Sequence, residues 1–95
     1  MMLPARVSRE RLFIWTAERD LGRVRTGDRI VGAVGQPYRD GALCLIHDGE
    51  SSRMWRLHIE DGRVRALSDD VEMRPLARDE TVVAMLYADR ATWGA

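Results

Sequence analysis

The stretch LHIEDGRVRA, residues 57–66, decides the fold class of this chain. Asp61-Gly62 can supply the two positive-φ positions of a type I′ turn, which predicts a β-hairpin with a two-residue loop. The resulting register pairs apolar with apolar and polar with polar residues: Ile59 with Val64, Leu57 with Ala66, Glu60 with Arg63, and His58 with Arg65. One face of the hairpin is therefore apolar and the other polar, as a half-buried sheet requires.

A second hairpin is predicted on the amino-terminal side of the first. If residues 48–52 form a five-residue loop, Leu45 pairs with Trp55 and Leu43 pairs with Leu57. These residues then lie on the same apolar face as Ile59. Three consecutive strands would thus share one surface that needs a second layer to cover it.

The rest of the chain alternates short apolar runs with turn signals, which is typical of a strand meander. The candidate strands are Arg29 to Val34, Ala42 to His47, Arg53 to Ile59, Arg63 to Leu67 and Thr81 to Ala88. The first and last of these are predicted to supply the second layer. The sequence therefore predicts an all-β domain, a small barrel or sandwich of about six to seven short strands.

Residues 1–26 are harder to interpret. Ser8 is a suitable cap for a helix through Arg9 to Arg19. The run from Leu12 to Thr16, however, is rich in aromatic and β-branched residues, which favours a strand. The strand is our prediction, and the helix stays as the alternative.

The composition indicates one globular domain spanning residues 1–95, with 45% hydrophobic and 32% charged residues. Arginine provides all of the 15 basic side chains, so mechanisms that need a lysine amine are excluded. Fifteen acidic residues balance them and the signs are interspersed, which argues against direct nucleic-acid binding. The start of the sequence lacks the apolar run of a signal peptide and no membrane-spanning run is present, so we expect a cytoplasmic protein.

Several motifs, in their order and spacing, resemble the carboxy-terminal domain of LexA, UmuD and phage repressors. The matching segments are Gly27-Asp28-Arg29-Ile30-Val31, Tyr38-Arg39-Asp40-Gly41-Ala42, Trp55-Arg56-Leu57, residues 65–76 and residues 81–90. The resemblance covers residues 27–90 and implies a LexA-like β fold that dimerises. Residues 91–95 follow it as a tail.

The resemblance also implies what this chain lacks. The family cleaves its own chain with a serine that a neutral lysine activates. By the family's spacing Arg19 stands at the serine position and Trp55 at the lysine position. The resemblance therefore implies a non-catalytic module that binds a protein, either a second copy of itself or a host regulatory protein. Such a domain would act as a small phage-type regulator or inhibitor, for example by drawing a full-length repressor into mixed dimers.

Four residues are the candidate binding residues: Trp55, Trp93, Tyr38 and Arg19. Trp55 is expected in the core or at the floor of a groove. Trp93 lies in the tail, where an exposed aromatic residue can anchor an interface. The alternative for Trp93 is a tail folded back onto its own domain.

His47 and His58 are interpreted as solvated rather than as metal ligands, and Cys44 as an inert buried thiol. The acidic residues from Asp69 to Glu80 are read as loop residues, and no metal or cofactor is predicted. Two alternative functions remain: a small-ligand binder with a cavity beside Trp55, and a hydrolase that uses the acidic loop and the histidines.

Overall fold

The computed structural model describes residues 11–87 of the 95-residue chain. Seven strands form in this range: β1 (Arg11–Thr16), β2 (Arg29–Val34), β3 (Leu43–His47), β4 (Ser52–Glu60), β5 (Arg63–Ser68), β6 (Met73–Arg74) and β7 (Thr81–Leu86). The predicted all-β class and strand number are confirmed. The described residues contain no helix, so no helix that could span a membrane is found among them.

All seven strands belong to one antiparallel sheet in the order β1-β2-β7-β3-β4-β5-β6. β7 lies between β2 and β3 and joins the amino-terminal hairpin to the central strands. The sequence predicted that β2 and β7 would form a separate layer over the hairpins. They instead extend the same sheet, because β7 pairs along the free side of β3.

The turn at Asp61-Gly62 forms as predicted. Both residues have positive φ, 53° and 75°, as a type I′ turn requires. Ile59 pairs with Val64, which confirms the first part of the predicted register.

The register of this hairpin changes beyond that pair. Leu57 pairs with Leu67 and His58 with Ala66, so the predicted pairs of Leu57 with Ala66 and of His58 with Arg65 are wrong. A β-bulge that places Arg65 as an extra residue in β5 causes the shift. The bulge brings Leu67, rather than the smaller Ala66, against Leu57 in the core.

The register between β3 and β4 also differs from the prediction by one residue. His47 pairs with Ser52, which leaves a four-residue loop, and Leu45 pairs with Met54 instead of Trp55. Since successive side chains of a strand point to opposite faces, this slip moves Leu45 to the face opposite Trp55.

The same slip pairs Leu43 with Arg56 rather than with Leu57, and β3 is buried on both faces as a result. Two hydrophobic clusters therefore form, one on each face of the sheet. The first cluster contains Ala17, Leu21, Val24, Ile30, Leu43, Leu45, Met54, Ala84 and Leu86. The second cluster contains Ala42, Cys44, Ile46, Trp55, Leu57, Leu67 and Met85.

β1 confirms the predicted strand at residues 12–16, and the amino-terminal residues of the alternative helix, including Ser8, lie outside the described residues. Phe13 pairs with Gly32 of β2. The Phe13 ring lies so close over Gly32 that a Cβ there would stand 2.4 Å from its outermost carbon. The absence of a side chain at Gly32 is therefore what seats the aromatic ring on the sheet.

Candidate functional site

Trp55 lies in β4 and is only 5% exposed. The guanidinium carbons of Arg19 and Arg74 lie 4.5 and 4.4 Å from the centre of its indole ring. Both distances allow cation–π attraction, which grows stronger when water is excluded. The structure thus brings together two of the predicted binding residues, Arg19 and Trp55, and packs Trp55 into the second cluster.

Arg19 fills a gap beside β4. β5 ends at Ser68, opposite the middle of β4, so the first part of β4 has no β5 residue to pair with. Arg19, in the loop after β1, donates hydrogen bonds to the carbonyl oxygen of Met54 and, over 3.0 Å, to Oδ2 of Asp69. Its side chain therefore supplies a partner that a longer β5 would otherwise provide.

The turn after β5 is held by its own carboxylates. Oδ1 of Asp69 accepts hydrogen bonds from the backbone N–H groups of Glu72 and Val71, each at 2.8 Å. These bonds lower the pKa of Asp69 below its usual value. The carboxylate of Asp70 accepts a bond of 3.1 Å from the backbone N–H of Gly22, which ties this turn to the loop between β1 and β2.

Arg74 and Glu80 form a two-pronged ion pair. Nη1 and Nη2 of Arg74 donate to the two carboxylate oxygens of Glu80 over 2.7 and 2.6 Å. Glu80 also accepts a bond of 2.8 Å from the backbone N–H of Ala77. The hydrogen bonds from Arg74 are the main cause of a lowered Glu80 pKa and of a raised Arg74 pKa.

A cavity of about 210 Å³ opens beside Trp55. Its remaining lining residues are Ile46, Asp48, Ser51, Arg53, Arg74 and Glu80. The cavity mixes acidic and basic groups over a floor that includes an indole ring. It lies beside Trp55, where the small-ligand alternative predicted from the sequence requires a cavity.

Tyr38 and Trp93 are the other two predicted binding residues. Tyr38 is half exposed and lines a second cavity of about 240 Å³, whose walls come from β2, β7 and the residues after β2. It does not line the cavity beside Trp55. Trp93 lies outside the described residues, so its predicted role stays a prediction.

β1 forms one edge of the sheet. The alternation of hydrogen bonds along an antiparallel strand shows which of its backbone groups face β2 and which point outward. Ala17 donates from its backbone N–H to the carbonyl of Asp28, so alternate residues Arg11, Phe13 and Trp15 face β2. The N–H and C=O groups of Leu12, Ile14 and Thr16 consequently point away from the sheet. Among residues 11–87 no strand pairs with that side.

Two side chains of this β1 edge are exposed and apolar. Leu12 is 64% and Ile14 52% exposed. Within β1 itself there is no proline, and the only charged residue is Arg11 at its end, so the sequence of the strand does not oppose pairing. This edge was not singled out by sequence reasoning, although the absence of polar alternation in residues 12–15 could have indicated it.

β6 forms the opposite edge and is only two residues long. Pro75 follows it directly, and proline cannot donate a backbone hydrogen bond. Arg74 of β6 turns its side chain to Glu80 and over Trp55. This edge is thus protected by its shortness and by side-chain contacts.

The remaining candidate groups have structural partners. Nδ1 of His47 lies 3.0 Å from Oγ of Ser52, and Nε2 of His58 lies 2.6 Å from Oγ of Ser68. Burial raises the pKa of the Cys44 thiol to about 12, as expected for an unreactive cysteine. Within residues 11–87, no three of the histidine, cysteine and carboxylate side chains are grouped so as to hold a metal ion.

Comparison of the chain with protein-family models, with curated proteins and with solved structures gave no match. The resemblance to the LexA-like domain therefore stays a prediction from the sequence.

Proposed function

We propose that this domain is a self-pairing module in which two copies join through their β1 edges to form one continuous antiparallel sheet. The observation that carries the proposal is a six-residue edge strand with exposed Leu12 and Ile14, whose outward backbone groups no strand within residues 11–87 pairs with. Natural proteins usually blunt such an edge, and no residue of the described range 11–87 does so here. In this proposal the domain acts by association and not by catalysis.

A two-fold axis at Ile14 gives the register that uses β1 most fully. Ile14 then lies opposite Ile14 of the second copy, and Leu12 lies opposite Thr16. All three residues direct their N–H and C=O groups outward, so each pair exchanges both backbone hydrogen bonds. This interface is isologous, since the same strand serves both copies, as a closed dimer requires.

The two faces of the paired strands also match. On one face the exposed Ile14 side chains meet at the axis, with Leu12 diagonally beside them. On the other face Phe13 lies opposite Trp15 of the second copy, and aromatic pairs across antiparallel strands are favourable. Arg11 lies outside the directly paired residues 12–16, so the pairing brings no like charges opposite each other.

The regulatory role predicted from the sequence follows from the same edge. If a longer protein carries a domain with an equivalent strand, this chain would pair with it and replace its normal partner. The resulting mixed dimer would lack whatever activity needs two copies of the longer protein. The LexA-like resemblance supports this role, and self-pairing is the step to test first.

The experiment is sedimentation velocity over a range of concentrations, with the Ile14→Lys variant for comparison. We expect a reversible monomer–dimer equilibrium for the unchanged protein. Ile14→Lys removes an apolar side chain from each copy, worth roughly 1.5–3 kcal/mol apiece, and places two ammonium groups opposite each other. The dissociation constant should rise by roughly a hundredfold or more.

The matched control is Val71→Lys, because Val71 is 93% exposed and lies near the β6 edge. It should leave the dissociation constant unchanged. Hydrogen exchange gives a second readout, since the amides of Leu12, Ile14 and Thr16 should gain protection as the concentration rises. A protein that stays monomeric at about 1 mM, or a dimer that Ile14→Lys does not weaken, would contradict the proposal.

A further inference from the structure

The cavity beside Trp55 is not used by the proposed self-pairing. Its volume of about 210 Å³ lies below the roughly 300–1,000 Å³ typical of drug-sized ligands. At about 30 Å³ for each water molecule, it has room for about seven waters or for an organic molecule of similar size. An occupant must therefore be small.

Two of the four charged groups that line the cavity neutralise each other. Arg74 and Glu80 are joined by two hydrogen bonds, and the Glu80 side chain is only 10% exposed. The Arg74 guanidinium is further fixed by its position over the Trp55 ring. This pair forms a wall of the cavity that carries no net charge.

The other two charged groups remain available. The side chain of Arg53 makes no ion pair or hydrogen bond with the described residues. Asp48 uses one oxygen, Oδ1, to accept the backbone N–H groups of Glu50 and Ser51, each at 2.9 Å. Its second oxygen accepts no hydrogen bond within residues 11–87. Asp48 and Arg53 do not pair with each other, although both line the same cavity.

We infer that this cavity binds a small zwitterion of the α-amino-acid class. Its carboxylate would take a two-pronged hydrogen bond from Arg53, and its ammonium group would donate to the free oxygen of Asp48. Its carbon atoms would rest against Trp55 and Ile46. An anion alone would meet the Asp48 carboxylate without a compensating charge, and a cation alone would meet Arg53.

The Asp48 loop is suited to this role because the carboxylate is already positioned. The backbone hydrogen bonds from Ser51 and Glu50 hold the pKa of Asp48 below its usual value, so the group is ionised at neutral pH. They also fix the side chain, so little conformational entropy is lost when the ligand binds.

The test is an NMR titration that follows the backbone amides of Ser51 and Arg53 and the indole N–H of Trp55. The probes are L-alanine, propionate, which lacks the ammonium group, and ethylamine, which lacks the carboxylate. We expect saturable shifts with L-alanine at these signals, and binding at least tenfold weaker for each single-charge probe. The absence of saturable shifts, or equal binding of propionate, would overturn the inference.

Two variants each remove one of the two charges and preserve the hydrogen bonds of the loop. Asp48→Asn keeps an oxygen that can accept the loop hydrogen bonds and removes the charge, and Arg53→Gln removes the guanidinium. Each should weaken L-alanine binding at least tenfold. Glu50→Gln removes a charge that does not line the cavity and should change nothing. Unaltered binding in both cavity variants would also overturn the inference.

Discussion

The two edges of the sheet are built in opposite ways. The β1 edge is six residues long, and three of them direct backbone groups outward that no strand within residues 11–87 pairs with, beside two exposed aliphatic side chains. The β6 edge offers two residues, followed by Pro75, and its Arg74 side chain is engaged by Glu80. Both edges end the same sheet, so edge position alone does not explain the difference.

The comparison indicates which contacts maintain the fold and which are left for association. Around β6, the contacts of Arg19, Asp69, Arg74 and Glu80 link the end of the sheet to two loops. Around β1, the backbone and side chains on the outer side have no such links among residues 11–87. Substitutions near β6 should therefore lower folding stability, while those on the outer side of β1, such as Ile14→Lys, should alter association.

The largest effect on folding is expected for Glu80→Ala. This change removes three hydrogen bonds and leaves the partly buried Arg74 guanidinium without its carboxylate. We expect the free energy of unfolding to fall by about 2–3 kcal/mol, measured by urea denaturation. Glu50→Ala, on an exposed loop, should change it by less than about 0.5 kcal/mol. Equal effects of the two variants would refute a stabilising role for the pair.

A smaller loss of folding stability is expected for Arg19→Met, which keeps a side chain of similar length but removes the guanidinium group. The carbonyl of Met54 loses its hydrogen bond and Trp55 loses one guanidinium. We expect a loss of about 1–2 kcal/mol. Arg23→Met is the control because Arg23 is exposed in the same loop, and it should have almost no effect. If both variants are equally stable, Arg19 does not act as the partner of β4.

The weakest perturbation is a change of pH, which should act through Glu80 and also through Asp48 and Asp69, whose pKa values are likewise lowered. The Glu80 pKa is lower in the folded chain than its ordinary 4.5, so its stabilising contribution is complete above that value. The contribution is lost as the pH falls through the lowered pKa. The free energy of unfolding should therefore decrease below about pH 4.5, and less so in Glu80→Gln.

Self-association should not follow that dependence, since β1 contains no acidic residue and no histidine. The dissociation constant of the dimer should stay constant between pH 7 and pH 5 while the protein remains folded. A marked change over this interval, observed by sedimentation, would show that groups outside β1 take part in the pairing.

The elements that could be predicted from the sequence are those fixed by local chemistry. Asp61-Gly62 specifies its turn within two residues, and the strand at residues 12–16 follows from its composition. The loop of residues 48–51 shows where this limit lies. Asp48-Gly49 marks a turn but is compatible with loops of four or five residues. The predicted five-residue loop was wrong, and it placed Leu45 on the same face as Trp55 instead of the opposite one.

The surroundings of Trp55 could be predicted only in part. Trp55 and Arg19 were predicted as binding residues from the resemblance to the LexA-like domain. Their contact partners are distant from them in the sequence and could not be predicted in this way. Asp69 is 50 residues from Arg19. The pairing of Arg74 with Glu80 had no local signal either, because acidic residues in loops are usually interpreted as solvated.

The contact of Phe13 with Gly32 has a mechanical consequence for β1. If β1 slid by two residues along β2, the Phe13 ring would lie over Ile30 or Val34, whose side chains occupy the space that Gly32 leaves free. The ring therefore prevents β1 from sliding along β2 and fixes the register between the two strands. A strand that cannot slide presents its outward donors and acceptors at fixed positions, which is the condition for docking in a single register.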